Sequence, residues 1–397
     1  MMISTGIDDI SLYTSSFYLD MHTLAEKRNT DYCKYTDGIG IERISIPSPD
    51  EDIITLAANA ALPVVQRCDK TKIGTLLFAT ESGVDQSKSA AVFVHRLLDL
   101  PSTCRTVELK QACYSSTAAV QAACALVARN PKKTVLVITA DVAHYPLESP
   151  GEATQGCGAV AMLITENPRI LEIHPESGCC SADSWDFWRP NYSNYPLYDG
   201  KFSMINYVKT CKAAWKELSE IRGISFDQID RFCYHLPFST MGLKAHLKLA
   251  REAGSQKSAA ELENQLVPII KYCKVIGNCY SASLYFALCS LLDNAPERLE
   301  NKVVALFAYG SGCSGEFYTG TFLPGYKKYI RTETDKKLIN SRKEIDFDTY
   351  LQFHHAADPI GENAGDCTTP EMTEGAFRFC GIKDHCRIYE PCSKNAL

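Results

Sequence analysis

The sequence predicts an α/β protein made of two pseudo-duplicated halves, and three observations carry that reading. Short apolar, β-rich runs end abruptly in small or reactive residues, as buried parallel strands do. Helix-like stretches alternate with these runs. Finally, Ala112-Cys113-Tyr114-Ser115 resembles Asn278-Cys279-Tyr280-Ser281, and each copy precedes a helix that is followed by a strand, Thr134 to Asp141 or Lys302 to Tyr309.

In the first half the strands are expected at Ile73 to Thr80, Cys104 to Leu109, Val135 to Ala140 and Ala159 to Ile164, with helices at Ser87 to Leu100 and Ser115 to Arg129. The second half repeats the rhythm. Ile229 to Tyr234, Val303 to Tyr309 and Phe317 to Phe322 read as strands, and Phe202 to Ile221, Met241 to Ala253 and Ser281 to Asp293 as helices. The boundary is placed near Glu166 to Pro168, giving units 1–167 and 168–397. From about residue 326 the chain turns polar, with Lys327-Lys328, Lys336-Lys337 and Arg342-Lys343. This extension is expected to pack on the body as a solvated face, away from the chemistry.

Composition narrows the function. The 397 residues hold 41 Lys plus Arg against 47 Asp plus Glu, a formal charge of −6 without long blocks of one sign, which disfavours a nucleic-acid binder. At 45% hydrophobic and 22% charged, the chain is that of an ordinary globular protein. Its apolar runs fall far short of the roughly 20 residues of a membrane span. Met1-Met2-Ile3-Ser4-Thr5 carries no secretory signal, so a cytoplasmic location is expected. The 18 cysteines include no C-x-x-C pair and HExxH is absent, so neither a disulfide framework nor a metal is expected.

Open α/β sheets build sites beyond the carboxyl ends of their strands. Four such ends deliver Glu81, Cys113, His235 and Gly310-Ser311-Gly312. Cys113 opens a helix whose N-terminal dipole would favour a thiolate and hence a nucleophile, against the plain alternative of one more buried small hydrophobe. Glu81 follows an apolar strand, where burial raises a carboxyl pKa toward general acid/base use; a helix-start role is the alternative. His235 lies among apolar residues, as core histidines do, but the following Pro237 favours a positioned loop. Gly310-Ser311-Gly312-Cys313-Ser314-Gly315 matches G-x-G-x-x-G, yet a strand-like run follows where a nucleotide fold needs a helix. Its glycines suit close backbone approach and N–H donors for an oxyanion.

With Ala79-Thr80-Glu81-Ser82, Lys110-Gln111-Ala112-Cys113-Tyr114, Gly151-Glu152-Ala153-Thr154-Gln155-Gly156, Asp186-Phe187-Trp188-Arg189-Pro190, His235-Leu236-Pro237-Phe238, Gly277-Asn278-Cys279-Tyr280 and Tyr309-Gly310-Ser311-Gly312, the sequence resembles the hydroxymethylglutaryl-CoA synthases of the thiolase superfamily, the bacterial mevalonate type most. The resemblance implies a five-layered α/β/α/β/α fold, a homodimer, acetyl-CoA and acetoacetyl-CoA as substrates and no cofactor. It further implies that Cys113 carries an acetyl thioester, that Glu81 takes a proton from the acetyl methyl group and later supplies one to the tertiary alkoxide, and that His235 and Asn278 hold the acceptor. Backbone N–H groups of Cys113 and Ser311 would stabilise the oxyanion, with Tyr145 and Thr154 near the acyl pocket. Water then releases (S)-3-hydroxy-3-methylglutaryl-CoA.

The sequence departs from the family at Thr240, where many relatives carry a CoA-binding lysine; Lys244 remains at a second basic position. That opens an alternative, the polyketide β-branching synthases that take both acyl groups from acyl carrier proteins. The Asp186 to Pro190 motif, Asp199-Gly200 and the tail His385-Cys386-Arg387-Ile388-Tyr389 favour the mevalonate type. A thiolase-like scaffold without turnover is disfavoured by Glu81, Cys113 and His235 occurring together.

Overall fold

The computed structural model describes residues 3–357 and 365–393. Nine strands form its main sheet: β1 (Thr5–Thr14), β2 (Ile73–Ala79), β3 (Arg105–Leu109), β4 (Thr134–Ala143), β5 (Gly156–Glu166), β6 (Leu171–Ser181), β7 (Arg231–Tyr234), β8 (Val303–Gly310) and β9 (Ser314–Phe322). Their order is β7-β8-β9-β6-β1-β5-β4-β2-β3. β2 is parallel to β3 and β4, and β7 to β8, whereas the remaining neighbours are antiparallel. The two halves meet between β1 and β6 along only three residue pairs, beginning at Thr5↔Ile173. Gly6 permits that contact, because a Cβ there would stand 2.0 Å from the Leu171 carbonyl oxygen.

Strand side chains alternate between faces, and both faces here are covered. Leu77, Val135, Val137, Val160 and Met162 point toward the centre, into one core with Ala119, Val120 and Ala123 of the Ser115–Arg129 helix. Leu76, Phe78, Leu136, Ile138 and Ala161 point outward, into a second core under the Ile53–Arg67 helix. In the other half the Gly200–Arg222 helix covers the outer face so closely that a Cβ on Gly178 would lie 2.1 Å from the Ala214 carbonyl oxygen. The Ser115–Arg129 and Ser283–Asn294 helices form the middle layer, joined by Ser116 Oγ donating to Ser281 O at 2.7 Å and by the Thr117 and Tyr285 hydroxyls at 3.1 Å. The result is the five-layered arrangement expected.

Each strand and helix expected from the sequence is present, with ends shifted by a few residues. Among the elements not foreseen, the largest are β1, β6 and the Ile53–Arg67 and Ala259–Ile276 helices. β1 carries Asp8 and Asp9, unusual in a central strand until Arg169 and Arg67 neutralise them at 2.6 and 2.5 Å. Both helices run through a proline, Pro63 and Pro268. Among the described residues no helix is long and apolar enough to cross a membrane.

Candidate active site

Glu81 lies just past the carboxyl end of β2, in a turn held by the buried Asp141 at the end of β4. One Asp141 oxygen accepts from Thr80 Oγ1 at 2.7 Å, Glu81 N at 2.9 Å and Ser82 N at 3.0 Å. Its other oxygen accepts from Ser281 N at 2.9 Å and from the Ser281 hydroxyl, so one carboxylate ties the Glu81 turn to the opposite half. Arg189 steadies the same turn by donating to the Glu81 carbonyl at 2.8 Å.

Cys113 sits between β3 and the Ser115–Arg129 helix. The preceding Ala112 has φ +44°, a left-handed conformation in which a side chain is strained. This sharp turn brings the Cys113 thiol to Glu81 Oε1 at 3.2 Å. The resting group is a thiol, not the thiolate expected from its helix position. Burial, followed by the neighbouring Glu81 carboxylate, pushes the Cys113 thiol well above its ordinary range, overriding the helix dipole. Burial, followed by Asp141, pushes Glu81 up to about 8, only partly offset by the Cys113 hydrogen bond and Arg189. At neutral pH the resting pair is a thiol donating to a carboxyl group that holds its proton for most of the time.

His235 continues β7: its N–H donates to Phe307 O at 2.8 Å, and its carbonyl accepts from Tyr207 OH at 2.7 Å. His235 is 3% exposed, and its Nδ1 has no hydrogen-bond partner among the described residues. Burial pushes its pKa down to about 3, so the imidazole is neutral. Asn278 is placed by the close passage of Gly277 over Gln155, where a Cβ would come within 1.9 Å of the Gln155 carbonyl oxygen. Asn278 N donates to Thr154 O at 2.9 Å, and its Oδ1 accepts from Tyr280 N and Ser283 Oγ, leaving the amide NH2 as the group that can reach a ligand. Thr154 Oγ1 is turned to Gly151 O at 2.8 Å.

The Gly310-Ser311-Gly312 run is the hairpin between β8 and β9, not a nucleotide loop. It presses on the Cys113 turn: a Cβ on Gly310 would lie 2.5 Å from Gln111 O, and Gln111 Nε2 reaches Ser311 O at 3.4 Å. Asp186, fully buried, holds this hairpin by accepting from Gly312 N at 2.9 Å and Tyr309 OH at 2.7 Å. Tyr145 joins Tyr280, Phe187 and Tyr198 in a small aromatic cluster against Cys113. Lys244 stands exposed, its ammonium 5.6 Å from the Phe238 ring centre.

The sequence reading did not single out Asp141 or Tyr280. Asp141 could have been found by the argument used for Glu81, a carboxylate just past an apolar run. The tail also reaches closer than expected. Tyr350 of the Phe347–Ala356 helix donates to Glu152 at 2.9 Å and accepts from Gln155 at 3.1 Å, while Gln155 accepts from Tyr145 N and His354 Nε2 meets Tyr145 O at 2.9 Å.

Residues 3–169 match the family described as hydroxymethylglutaryl-coenzyme A synthase N terminal, and residues 174–253 and 248–360 match its C-terminal counterpart. The chain belongs to the hydroxymethylglutaryl-CoA synthase family. It is 40% identical over 351 residues to the hydroxymethylglutaryl-CoA synthase of Enterococcus faecalis, covering 88% of this chain and 91% of that one. A crystal structure of HMG-CoA synthase complexed with CoA superposes with a TM-score of 0.92 at 37% identity, covering 98% of this chain and all of the other. Similarity is lower, 30% over 371 residues, to the polyketide biosynthesis 3-hydroxy-3-methylglutaryl-ACP synthase PksG of Bacillus subtilis, covering 88% of this chain and 87% of that one. Within the synthase family the chain thus lies nearer the CoA-dependent member than the carrier-dependent one.

Proposed function

We propose that this protein condenses acetyl-CoA with acetoacetyl-CoA and water to 3-hydroxy-3-methylglutaryl-CoA in the mevalonate route, acting in the cytoplasm as a homodimer of chains built from units 1–167 and 168–397. The observation that carries the chemistry is the Cys113 thiol 3.2 Å from Glu81 at a strained turn. Cys113 attacks the acetyl thioester; its proton and the expelled CoA thiolate leave as CoA-SH, with the acetyl group now on sulfur. Backbone N–H groups at Cys113 and Ser311 face the developing oxyanion, each such donor contributing about 3 kcal/mol.

The second half-reaction needs a base strong enough to take a methyl proton and an acid to meet the alkoxide. A carboxyl group held near 8 serves both purposes close to neutral pH. Neutral His235 donates to, or accepts from, the acceptor acyl group without adding a charge, and the Asn278 amide supplies a second donor. Tyr145 and Thr154 shape the acyl pocket, and Lys244 meets the CoA phosphates from the surface. Water then hydrolyses the thioester to Cys113.

Intact-mass analysis tests the first step: acetyl-CoA is expected to add one acetyl group, about 42 Da, to the wild type and none to Cys113→Ala. Condensation with free acetoacetyl-CoA then separates the mevalonate enzyme from a carrier-dependent one. Activity confined to a carrier-bound acceptor overturns the proposal.

A further inference from the structure

The turn that presents Cys113 is strained at Ala112, so something beyond its own backbone must hold it. The Ser115–Arg129 helix starts without a side-chain cap on its first residue. Its grip comes instead from the other half of the molecule. Glu316, 2% exposed, lies on β9 just beyond the hairpin that carries Ser311. One carboxylate oxygen accepts from Tyr114 OH at 2.7 Å, and the other accepts from Gln121 Nε2 at 2.6 Å. Tyr114 directly follows Cys113, and Gln121 lies two turns further on, on the same helix face. A buried carboxylate is costly unless it is used, and besides a hydrogen bond from Ser177 on β6 this one takes two from the segment bearing the nucleophile.

The same strand hairpin also touches the turn through Gly310, where any side chain would collide with Gln111 O and Tyr114 N. The thiol and the Ser311 backbone therefore hang on one rigid hairpin, with Glu316 as the link that fixes their spacing.

We propose that Glu316 is a positioning residue for Cys113: by gripping Tyr114 and Gln121 it sets the thiol relative to Glu81 and the Ser311 loop, and so controls the rate of acyl transfer to Cys113. The inference rests on the acyl-transfer reading above for its functional consequence, but the positioning itself is readable without it.

The test compares Glu316→Leu, which removes both acceptors, with Glu316→Gln, whose amide still accepts from Tyr114 and donates to a flipped Gln121. Three readouts are taken at 25 °C on folded protein: single-turnover acetylation by acetyl-CoA, KM for acetyl-CoA, and alkylation of Cys113 by iodoacetamide. Glu316→Leu is expected to acetylate about 10-fold more slowly, equivalent to about 1.4 kcal/mol, with KM changed less than about 2-fold. Its alkylation rate is expected to shift by about 3-fold or more, and Glu316→Gln to stay within about 2-fold of the wild type on every readout. Wild-type acetylation in folded Glu316→Leu overturns the proposal whatever happens to Tm, because lost stability alone leaves that rate intact. So does a Glu316→Gln variant as slow as Glu316→Leu, since charge rather than grip would then be at work. If Glu316→Leu does not fold, Tyr114→Phe, which deletes one hydrogen bond and keeps the ring, decides: slowing by about 3-fold is expected, and an unchanged rate refutes the link. If the wild type itself takes no acetyl group, the acyl-transfer reading fails, and the alkylation comparison alone decides the positioning claim.

Discussion

Glu81→Gln should make the protein more stable, and only above a definite pH. In the folded protein Glu81 has its pKa pushed up from 4.5 to about 8, first by burial and then by Asp141. The folded state therefore binds a proton more tightly than the unfolded chain, and stability falls as pH rises from about 4.5 through 8. At pH 7 the ionisation cost is about 2.5 units at 1.36 kcal/mol each, or about 3.4 kcal/mol. Partial contact of the side chain with solvent brings that to about 1.5–3 kcal/mol. Glutamine keeps the shape and an acceptor for the Cys113 thiol but never ionises, so it removes the cost. For 397 residues, with an unfolding entropy of about 2.1 cal/mol/K per residue, this corresponds to a Tm rise of about 2 to 4 °C. Thermal melts of both proteins from pH 4.5 to 8.5 are the assay. The gap should be near zero at the acid end and widen toward pH 8; a pH-independent gap, or a wild type more stable at pH 8, would refute the assignment of a raised carboxyl pKa.

Three further outcomes follow from the site. Glu81→Ala should still acquire the acetyl group by intact mass yet give no condensation product with acetoacetyl-CoA; normal condensation would place the base elsewhere. Because burial holds His235 neutral down to about pH 3, acetoacetyl-CoA affinity should show no inflection attributable to this residue between pH 5 and 8, while His235→Ala should weaken it; an inflection near pH 6.5 that vanishes in His235→Ala would contradict a neutral ring. Gly277→Ala meets the Gln155 carbonyl at 1.9 Å in a backbone with φ +88°, and should cost about 2–4 kcal/mol by denaturant titration while raising acceptor KM through Asn278; a stability within about 0.5 kcal/mol of wild type would show that the contact relaxes freely.

What was legible in the sequence follows physical lines. β2, β4 and β8 are buried on both faces, so their side chains write continuous apolar runs that announce strands by themselves. β1 hides because Asp8 and Asp9 are satisfied by Arg169 and Arg67, partners more than fifty residues away that no local pattern reveals. The Ile53–Arg67 helix hides behind Pro63, whose cost within a helix is outweighed by packing on β5, β1 and β4. At the site, Glu81 and Cys113 are visible as reactive groups at strand ends. The grip of Glu316 on Tyr114 and the hold of Asp141 on Ser281 are pairings between halves, and only the folded chain brings them together. Cys113 shows the limit of local reasoning: its helix position predicts a thiolate, but burial against a carboxyl group wins.

That reversal bears on how the two half-reactions are ordered. In the resting site the Cys113 hydrogen bond lowers the Glu81 pKa, partly restraining a carboxyl group already raised by burial and Asp141. Acetylation turns the thiol into a thioester with no S–H to donate, so the restraint disappears while burial and Asp141 remain. The carboxylate formed after the first step is thus a stronger base than the one before it, at the moment a methyl proton must be removed. Single-turnover condensation by pre-acetylated enzyme should therefore rise with pH through an apparent pKa above the value of about 8 that describes the free enzyme. The measurement is a stopped-flow pH series with acetoacetyl-CoA, compared with the pH dependence of stability in the unacetylated protein. An apparent pKa at or below the resting value would mean that the thiol does not restrain Glu81, and that the sequence of base strengths inferred here is wrong.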